Sequence, residues 1–426
     1  MRICVVGAGI AGLTCSYHLA RDGHEVVVID QGVAVGTGTS RANGGQLSYS
    51  YVSPLAAPGT LRKAASWMLD SEAPLRLKFQ ADPRLWRWLI AFARACRQET
   101  FERGTREMLA LAYHSRRVLA DMMAETTLDF SYRENGKLVV FRSEAELAGA
   151  AELVAYQAGY GASQRVLTAA ECLALEPALR DAASTLSGGV YTPNEAVGDA
   201  FAFCAALHQA LAAHPNVTFH LGEAIAGIDQ RAGRVAGIRM PSRVIEADQY
   251  VLAAGMGAVP LAATLGIDLP IYPLKGYSLT TPVRTTDQPP RISITDAHHK
   301  VVYALLDEAG NDGTEGRLRV AGMVDLVGFG TEIADRRVAL LERQARAVFP
   351  AGADWPRSHA WAGLRPATPD WKPIIGRSGL DNLWLDVGLG GLGFTVGCGT
   401  GHLLAAMIAG REPAIPVAPY SLEKRT

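Results

Sequence analysis

Three glycines near the start of the chain have the spacing of a turn that binds phosphate. Gly7, Gly9 and Gly12 fit the pattern GxGxxG, in which the first glycine permits a tight turn, the second lets the backbone approach a pyrophosphate, and the third lets a helix pack closely on a strand. Asp30 lies 18 residues after Gly12 and can accept hydrogen bonds from both hydroxyls of an adenosine ribose, whereas it would repel a 2′-phosphate. These residues together predict a binding site for a dinucleotide.

The residues between these positions predict the elements that hold them in place. Residues 3–6 (ICVV) and 25–30 (EVVVID) are short apolar runs typical of strands buried on both faces of a parallel sheet, and an apolar helical stripe lies between them. Two other interpretations are an export leader over residues 1–20 and a βαβ unit that binds nothing. We favour the dinucleotide site because the strand, the helix, the second strand and its terminal acid are all present.

Composition excludes several functional classes. The 426 residues are 49% hydrophobic and 19% charged, which suits two domains that share a large core. Lys and Arg number 41 against 42 Asp and Glu, so no net field attracts nucleic acid, and no nucleic-acid partner is expected. The six cysteines include no CxxC pair and lie near no histidine set at metal-ligand spacing, so we expect reduced cytoplasmic thiols and no metal site. We find no run of 18 uncharged apolar residues and expect no membrane span.

Two further segments favour FAD over NAD as the dinucleotide. Residues 39–59 (TSRANGGQLSYSYVSPLAAPG) begin with hydroxyl side chains suited to a helix cap and continue with an Asn-Gly-Gly-Gln run whose backbone can lie against a flat ring. Residues 382–388 predict a strand and residues 393–410 a helix, with a second glycine-rich turn (GLGGLG) at their junction. The start of that helix would stabilise the negative charge that develops at the flavin N1/C2 carbonyl edge on reduction. The alternatives are a polar loop and a tight turn with a small-residue packing face.

The sequence resembles a known family, the FAD-dependent D-amino-acid dehydrogenases within the D-amino-acid oxidase and glycine oxidase superfamily. The resemblance covers nearly the whole chain, and it is much more specific for the family than for a substrate. It is carried by residues 5–12 with 28–30, 39–59, 188–201, 272–280, 361–376 and 388–401.

The resemblance implies a fold of class α/β plus α+β. A Rossmann-like FAD-binding domain of the glutathione-reductase type would be joined to a mainly antiparallel-sheet substrate domain with a helical insertion. We expect the discontinuous FAD-binding domain to comprise residues 1–54, 195–258 and 358–426, and the substrate domain to comprise residues 55–194 and 259–357. Residues 55–130 predict the mostly helical insertion, and residues 224–255 predict a three-stranded meander followed by a buried strand.

The glycine-rich turns and the resemblance together assign the residues that bind FAD. In similar proteins the main chain at positions corresponding to Ala224 and Ile225 contacts the adenine, and the segment corresponding to residues 253–255 approaches the cofactor. The full predicted set is Gly7, Gly9, Ile10, Ala11, Gly12, Asp30, Gln31, Thr39, Ser40, Asn43, Gly44, Gly45, Gln46, Ala224, Ile225, Ala254, Gly255, Gly363, Arg365, Gly388, Gly390, Gly391, Leu392, Gly393, Phe394 and Thr395.

Arg365 is the residue we expect to bind the substrate. A guanidinium offers two parallel donors to a carboxylate, and in glycine and D-amino-acid oxidases the arginine of the similar motif holds the substrate carboxylate. The alternative is a structural arginine paired with Asp370. This sequence departs from many related dehydrogenases at Leu389, where they carry a histidine, and the departure puts in doubt any polar group above the flavin.

Other candidate catalytic residues lie on the strand-rich region that begins near residue 271. Three tyrosines could assist binding, although one of them could belong to the core: Tyr272, Tyr277 and Tyr303. Lys275 could lie at the flavin edge or form a surface ion pair. His298 and His299 fall where related enzymes place polar groups, yet a pair of loop histidines is more often solvated.

The resulting hypothesis is oxidative deamination of a D-amino acid to a 2-oxo acid and ammonia, by hydride transfer from the substrate α-carbon to flavin N5. The resemblance implies a quinone or another non-oxygen electron acceptor. The alternatives are an oxidase of glycine, sarcosine or a cyclic imino acid such as D-hydroxyproline, which would release peroxide, and a non-catalytic dinucleotide-binding protein. A flavin monooxygenase is disfavoured because we find no Gly-Asp-Ala turn before the last helix.

Residues 83–98 (PRLWRWLIAFARACRQ) interleave Trp and Leu with Arg on an amphipathic helix. That pattern suits a bilayer surface, and it equally suits an ordinary helix that packs its apolar face inward. We therefore expect a cytoplasmic protein, with peripheral contact at the inner face of the cell membrane as an open alternative. The sequence does not indicate the oligomeric state or the preferred substrate side chain.

Overall fold

Two large sheets, a three-stranded sheet, a two-stranded sheet and the surrounding helices make up the described chain. The computed structural model describes residues 1–62, 72–78 and 80–425. The strands are β1 (Arg2–Val6), β2 (Glu25–Asp30), β3 (Gln46–Leu47), β4 (Leu75–Leu77), β5 (Lys137–Phe141), β6 (Arg165–Thr168), β7 (Gly188–Thr192), β8 (Ala196–Val197), β9 (Val217–Leu221), β10 (Gly227–Arg231), β11 (Arg234–Arg239), β12 (Val244–Ile245), β13 (Gln249–Leu252), β14 (Tyr272–Val283), β15 (Ser293–Asp296), β16 (Val301–Asp307), β17 (Gly316–Leu326), β18 (His359–Ala367), β19 (Ile374–Arg377) and β20 (Leu383–Val387). The α-helices are α1 (Ile10–Arg21), α2 (Pro83–Ala95), α3 (Gln98–Glu125), α4 (Glu144–Ala158), α5 (Ala169–Leu175), α6 (Ala200–Ala212), α7 (Ala258–Thr264), α8 (Asp335–Val348) and α9 (Gly393–Ile408).

The first sheet, hereafter the parallel sheet, has the strand order β19-β20-β13-β1-β2-β9. All neighbouring pairs are parallel except β19 with β20. The β-branched and apolar side chains of β1 and β2 are buried, as expected for strands covered on both faces. The predicted strand-helix-strand unit at the start of the chain is confirmed, and the fold is of the predicted Rossmann-like class.

Backbone conformation and the close approach of α1 to the end of β1 require glycine at two positions of the first turn. Gly7 has φ +114°, in the left-handed region that favours glycine. A Cβ atom added at Gly12 would overlap the carbonyl oxygen of Gly7, so only glycine lets α1 begin this close to the end of β1. At Gly9, in contrast, the nearest atom to an added Cβ is Ser40 Oγ at 3.7 Å, which leaves the main chain open to a ligand.

Helix α9 corrects one prediction from the sequence. The segment Gly390–Ile408 is long and apolar enough to cross a membrane, and 72% of it is buried within the protein. Its side chains join α1, α3 and α6 in the largest apolar cluster. The statement that no uncharged apolar run of this length occurs was therefore wrong, and the burial of α9 marks it as a core helix.

The second sheet, hereafter the large sheet, has the order β18-β14-β17-β16-β15-β5-β7-β6, with β4 paired to β17. It is mainly antiparallel, as predicted; the β15–β5 and β17–β4 pairs are parallel. One face packs against α8. The other face meets the loop after β2, because a Cβ added at Gly44 would lie 3.0 Å from Val302 on β16.

Helix α2 lies over one end of β14 and β18. It begins after Asp82, whose carboxylate accepts a hydrogen bond from the Arg84 N–H at 3.0 Å, and Pro83 occupies the first turn. Its buried side chains pack with Tyr272 and neighbouring apolar residues of the large sheet. The predicted helical insertion thus includes α2 and α3; the parts of that prediction at residues 63–71 and at residue 79 lie outside the described residues.

The predicted meander is confirmed as β10, β11 and β12, which lead into the central strand β13. Sheet membership follows the predicted division of the chain except at one boundary. Strand β18 belongs to the large sheet, whereas the boundary at residue 358 assigns it to the FAD-binding domain. The division into two domains stays a prediction.

Candidate active site

The loops predicted to bind the dinucleotide leave one edge of the parallel sheet. β1, β2, β13 and β20 run in the same direction, so their carboxyl ends meet at that edge, which is where α/β sheets bind ligands. The predicted residues placed there are Gly7, Gly9, Ile10, Ala11 and Gly12 after β1, Asp30 and Gln31 at the end of β2, Ala254 and Gly255 after β13, and Gly388, Gly390, Gly391, Leu392, Gly393, Phe394 and Thr395 after β20. Ala224 and Ile225 lie between β9 and β10.

Both helices that start at this edge lack side-chain caps. The N-cap positions of α1 and α9, Gly9 and Leu392, show no side-chain hydrogen bond to the helix start within the described part of the chain. The first N–H groups of a helix have no partner inside the helix and carry its positive dipole end. They are therefore available to a bound anion or to a carbonyl edge, and together with the open approach at Gly9 they fit FAD.

Asp30 is already partly engaged in holding the turn. Its carboxylate accepts hydrogen bonds from the N–H of Ala8 and of Gly32, each at 2.7 Å. A carboxylate has about four lone-pair sites, so sites remain for ribose hydroxyls. Asp30 thus fixes the glycine turn and can bind a ribose at the same time.

The segment of residues 39–46 crosses the face of the large sheet and connects it to the parallel sheet. The Thr39 hydroxyl donates to the carbonyl of Leu364 at 2.8 Å, and the Ser278 hydroxyl donates to the carbonyl of Ala42 at 2.9 Å. Arg319 donates to the carbonyl of Asn43 at 2.6 Å. These three hydrogen bonds attach the segment to the large sheet and so fix the position of its predicted cofactor residues. Ser40 contributes its hydroxyl beside Gly9.

Gln46 joins a buried polar network through its side chain, and its predicted contact with the cofactor stays a prediction. Its side-chain amide donates to Ser293 at 2.6 Å and to the carbonyl of Ile294 at 3.0 Å, and its oxygen accepts from buried Lys137. Burial lowers the pKa of Lys137 and raises that of Glu195, and each charge opposes the shift of the other. The sequence analysis missed this buried pair because its members are distant in the chain.

Arg365 lies on β18 with its guanidinium over Gly276. The register pairs Gly276 with Gly363 and Leu274 with Arg365, and a Cβ added at Gly276 would overlap the guanidinium. A Cβ added at Gly391 would lie 3.6 Å from Arg365 Cδ. The guanidinium is thus seated in a gap left by a glycine, beside the turn that begins α9.

The charge of Arg365 has no carboxylate partner in the described part of the chain. Its Nη1 donates to the carbonyl of Met323 at 2.9 Å, and Asp370, the alternative partner, pairs instead with Lys372 and Arg425. Burial lowers the pKa of Arg365 to about 10, an effect that the charge of Asp325 opposes. A half-buried guanidinium held by one carbonyl can bind an anion with its remaining donors.

Three other candidates point to the opposite face of the large sheet. The Tyr277 hydroxyl donates to Asp325 at 3.2 Å, and Lys275 donates to the carbonyl of Glu332. Tyr303 packs its ring against Phe349, 4.9 Å between centroids, within the cluster that faces α8. Burial raises the pKa of Tyr277 to about 12 and that of Tyr303 well above its usual range. The structure does not bring these side chains to Arg365.

The remaining candidates also lie apart from the guanidinium. Tyr272 is on the face of Arg365 but is buried under α2, 6.3 Å from the Trp88 ring between centroids. His299 Nδ1 lies 2.8 Å from Asp296 Oδ2; His298 is its neighbour in the same turn. Burial acts to raise the pKa of Asp296, but hydrogen bonds from His299 and Arg142 outweigh it and hold this pKa well below its usual range.

Two tryptophans that the sequence analysis did not select flank Arg365. A Cβ added at Gly363 would overlap the Trp361 ring, and a Cβ added at Gly391 would lie 3.5 Å from the Trp371 ring. Because side chains alternate along a strand, residues 361, 363 and 365 share a face, and this alternation could have revealed Trp361. Both indoles are partly exposed, and the Trp371 ring and Arg365 Cδ both lie within 3.6 Å of the position of a Cβ at Gly391.

The chain matches a known protein family over most of its length. The family described as FAD dependent oxidoreductase matches residues 2–407 of the chain. The chain belongs to this family. The cofactor of the oxidoreductase is therefore FAD, in agreement with the uncapped helix starts and the open glycine turn.

Individual relatives are similar over their full length. The chain is 45% identical to D-amino acid dehydrogenase 2 of Ralstonia nicotianae over 436 residues, with 100% of each chain covered. It is 46% identical to D-amino acid dehydrogenase 2 of Pseudomonas aeruginosa over 415 residues, which covers 97% of this chain and 96% of the relative. The crystal structure of glycine oxidase from Geobacillus kaustophilus matches with a TM-score of 0.70 at 22% identity, covering 99% of this chain and 98% of the other, which shows a shared fold.

Proposed function

We propose that this FAD-dependent oxidoreductase is a D-amino-acid dehydrogenase that converts D-amino acids to 2-oxo acids and ammonia and passes the electrons to a quinone or another non-oxygen acceptor. The names of the full-length relatives support this activity. The observation that carries it is Arg365, whose guanidinium lies beside the start of α9 without an ion-pair partner among the described residues. An α-amino acid brings the carboxylate that such a group binds.

The residues around Arg365 orient the substrate. The guanidinium binds the substrate carboxylate through the donors that Met323 does not use, next to the Trp371 indole. FAD, when bound, supplies the hydride acceptor for the bond that breaks at the α-carbon. As the hydride leaves the α-carbon, the lone pair of the neutral substrate amine forms an iminium. The iminium releases a proton to water to give the imine, which a second water hydrolyses to the 2-oxo acid and ammonia. No protein base is required, in keeping with the position of Lys275 and Tyr277 on the opposite face of the large sheet.

An anaerobic bleaching experiment tests the proposed activity. The purified yellow protein is mixed without oxygen with D-alanine, L-alanine, glycine, sarcosine or D-hydroxyproline, and the visible absorbance of the oxidised flavin is followed. We expect bleaching by D-amino acids and not by the L-enantiomers, followed by rapid reoxidation with a quinone analogue and slow reoxidation in air. Bleaching by glycine or sarcosine alone, with rapid peroxide release in air, would instead assign an oxidase. A colourless protein that no amino acid affects would refute an enzymatic role.

We propose that the outer face of α2 provides a peripheral contact with the inner face of the cell membrane, for a protein located in the cytoplasm. The inner face of this helix is buried against the large sheet. Its outer face exposes 43% of Trp86 and 53% of Ile90 alongside Arg87 and Arg94. Aromatic and aliphatic residues next to arginines suit the boundary of an anionic bilayer.

Vesicle flotation tests the membrane contact. We expect the wild type to float with anionic liposomes and the double variant W86Q/I90Q to remain in the soluble fraction, because the exposed apolar area is lost. Val244→Gln, which removes an equally exposed apolar residue at a distant site, should float like the wild type. A wild type that stays soluble with both neutral and anionic vesicles contradicts the proposal.

A further inference from the structure

Strand β17 contains a bulge directly opposite the glycine that seats Arg365. β14 pairs Lys275 with Asp325 and Tyr277 with Gly322, so residues 323 and 324 together face the single residue Gly276. Such bulges bend a strand and redirect its groups, and they are common next to active sites. Here the carbonyl of the bulged Met323 accepts the hydrogen bond from Arg365 Nη1 at 2.9 Å.

The bulge has a backbone conformation that its residue does not favour. Met323 has φ +64°, in the left-handed region where a side chain with a Cβ is strained. A non-glycine residue persists there only when the surrounding structure over-determines it. Neighbouring contacts must therefore hold the bulge.

Asp325 and Arg337 supply those contacts. The Arg337 guanidinium, from α8, lies 2.8 Å from Asp325 Oδ1, and the Tyr277 hydroxyl donates to Asp325 Oδ2 at 3.2 Å. The side chains of Arg337 and Asp325 are 5% and 1% exposed. Burial raises the pKa of Asp325 and the charge of Arg337 opposes this rise. Because burying an ion pair is costly, stability alone is a weak reason for its presence.

The same guanidinium also holds the segment before β4. Arg337 donates to the carbonyl of Ala73 at 2.9 Å and to that of Pro74 at 3.1 Å. The N–H of Val324, inside the bulge, donates to the carbonyl of Pro74 at 2.7 Å. One arginine thus joins α8, the bulged strand and the segment that leads towards α2.

We propose that the Asp325–Arg337 ion pair is a positioning device for Arg365: it fixes the bulge whose Met323 carbonyl orients the guanidinium for the substrate carboxylate. The proposal rests on the proposed function, in which Arg365 binds that carboxylate. Asp325 and Arg337 are positioning residues, since neither contacts the substrate. Loosening the pair should weaken carboxylate binding and leave the rate of the bound complex nearly unchanged.

The test compares two conservative variants with a control on the same strand. Arg337→Lys keeps the charge but loses the planar fork that reaches Asp325 and both carbonyls, and Tyr277→Phe removes one hydrogen bond to Asp325. Arg317→Lys is the control, because Arg317 forms an ion pair with Asp199 at the other end of β17. For each variant we measure KM and kcat on a D-amino acid, the dissociation constant of benzoate from the flavin absorbance change, and the melting temperature.

We expect Arg337→Lys to raise KM and the benzoate dissociation constant together by about tenfold, with kcat within about twofold, and Tyr277→Phe to raise both constants by about threefold. A folded Arg337→Lys with both constants within about twofold of wild type overturns the proposal. Should Arg337→Lys fail to fold, unchanged constants in Tyr277→Phe overturn it equally. Arg365→Leu distinguishes a failure of this proposal from a failure of its premise: if that variant still binds benzoate normally, Arg365 does not bind the substrate carboxylate.

Discussion

Replacing Arg365 by leucine should lower kcat/KM on every D-amino acid by about 30-fold to several thousand-fold while FAD stays bound. The estimate follows from the loss of a buried, hydrogen-bonded partner of a charge, which costs about 2–5 kcal/mol. Because Arg365 has no carboxylate partner in the described part of the chain, its removal leaves no carboxylate of the protein without an ion-pair partner. The turn after β20 lies beside Arg365, but the loops after β1, β2 and β13 carry the other predicted FAD-binding residues and should keep the cofactor bound.

Steady-state kinetics and the flavin spectrum of Arg365→Leu provide the measurement. Arg365→Lys should be intermediate, because an ammonium keeps the charge but lacks the two parallel donors. Arg357→Leu is the control, since Arg357 is an exposed arginine that pairs with Glu315 shortly before β18. Near-normal kcat/KM in Arg365→Leu on all D-amino acids would remove this residue from substrate binding.

Replacing Gly276 by alanine should lower kcat/KM by about 100-fold without preventing folding. The new Cβ would overlap the guanidinium of Arg365, and β14 cannot move away because it is hydrogen-bonded to β17 and β18 on both sides. The guanidinium is the end of a flexible side chain, so it can shift, and a shift of about 1 Å in a positioning group can cost about 100-fold in rate. The loss should appear mainly in KM.

The matched control for this variant is Gly189→Ala. Gly189 is on β7 of the same large sheet, and a Cβ there would lie 2.8 Å from Leu138, 2.9 Å from Cys172 and 2.9 Å from the carbonyl oxygen of Val139. It reports what a crowded methyl group costs in stability without displacing Arg365. If Gly276→Ala and Gly189→Ala have the same kinetics, the glycine has no special role in seating the guanidinium.

Much of the cofactor-binding edge could be predicted because its signals are local. The spacing of Gly7, Gly9 and Gly12 encodes one turn, and buried β-branched runs on either side of a helix encode parallel strands. The carboxyl ends of parallel strands meet at one edge, so the loops after β1, β2, β13 and β20 could be expected to converge. The family resemblance extended this prediction to the far end of the chain.

The substrate face was less predictable because it depends on sheet register. Tyr272 and Tyr277 are both on β14, yet an odd separation puts them on opposite faces. The antiparallel pairing of β14 with β18 decides which of these tyrosines shares a face of the sheet with Arg365. The sequence does not specify that pairing. The same reason explains why Lys275 and Tyr303 were candidates although their side chains point towards α8.

The sequence by itself determined the βαβ unit, the acid at its end and the second glycine turn, because neighbouring residues encode each of them. The role of Arg365 in binding a carboxylate stays a prediction. Only the tertiary structure decided that α9 is a core helix, that Gly276 makes room for Arg365, and that Met323, Asp325 and Arg337 support it. Burial, strand register and a bulge arise from contacts between distant segments, so no local pattern encodes them.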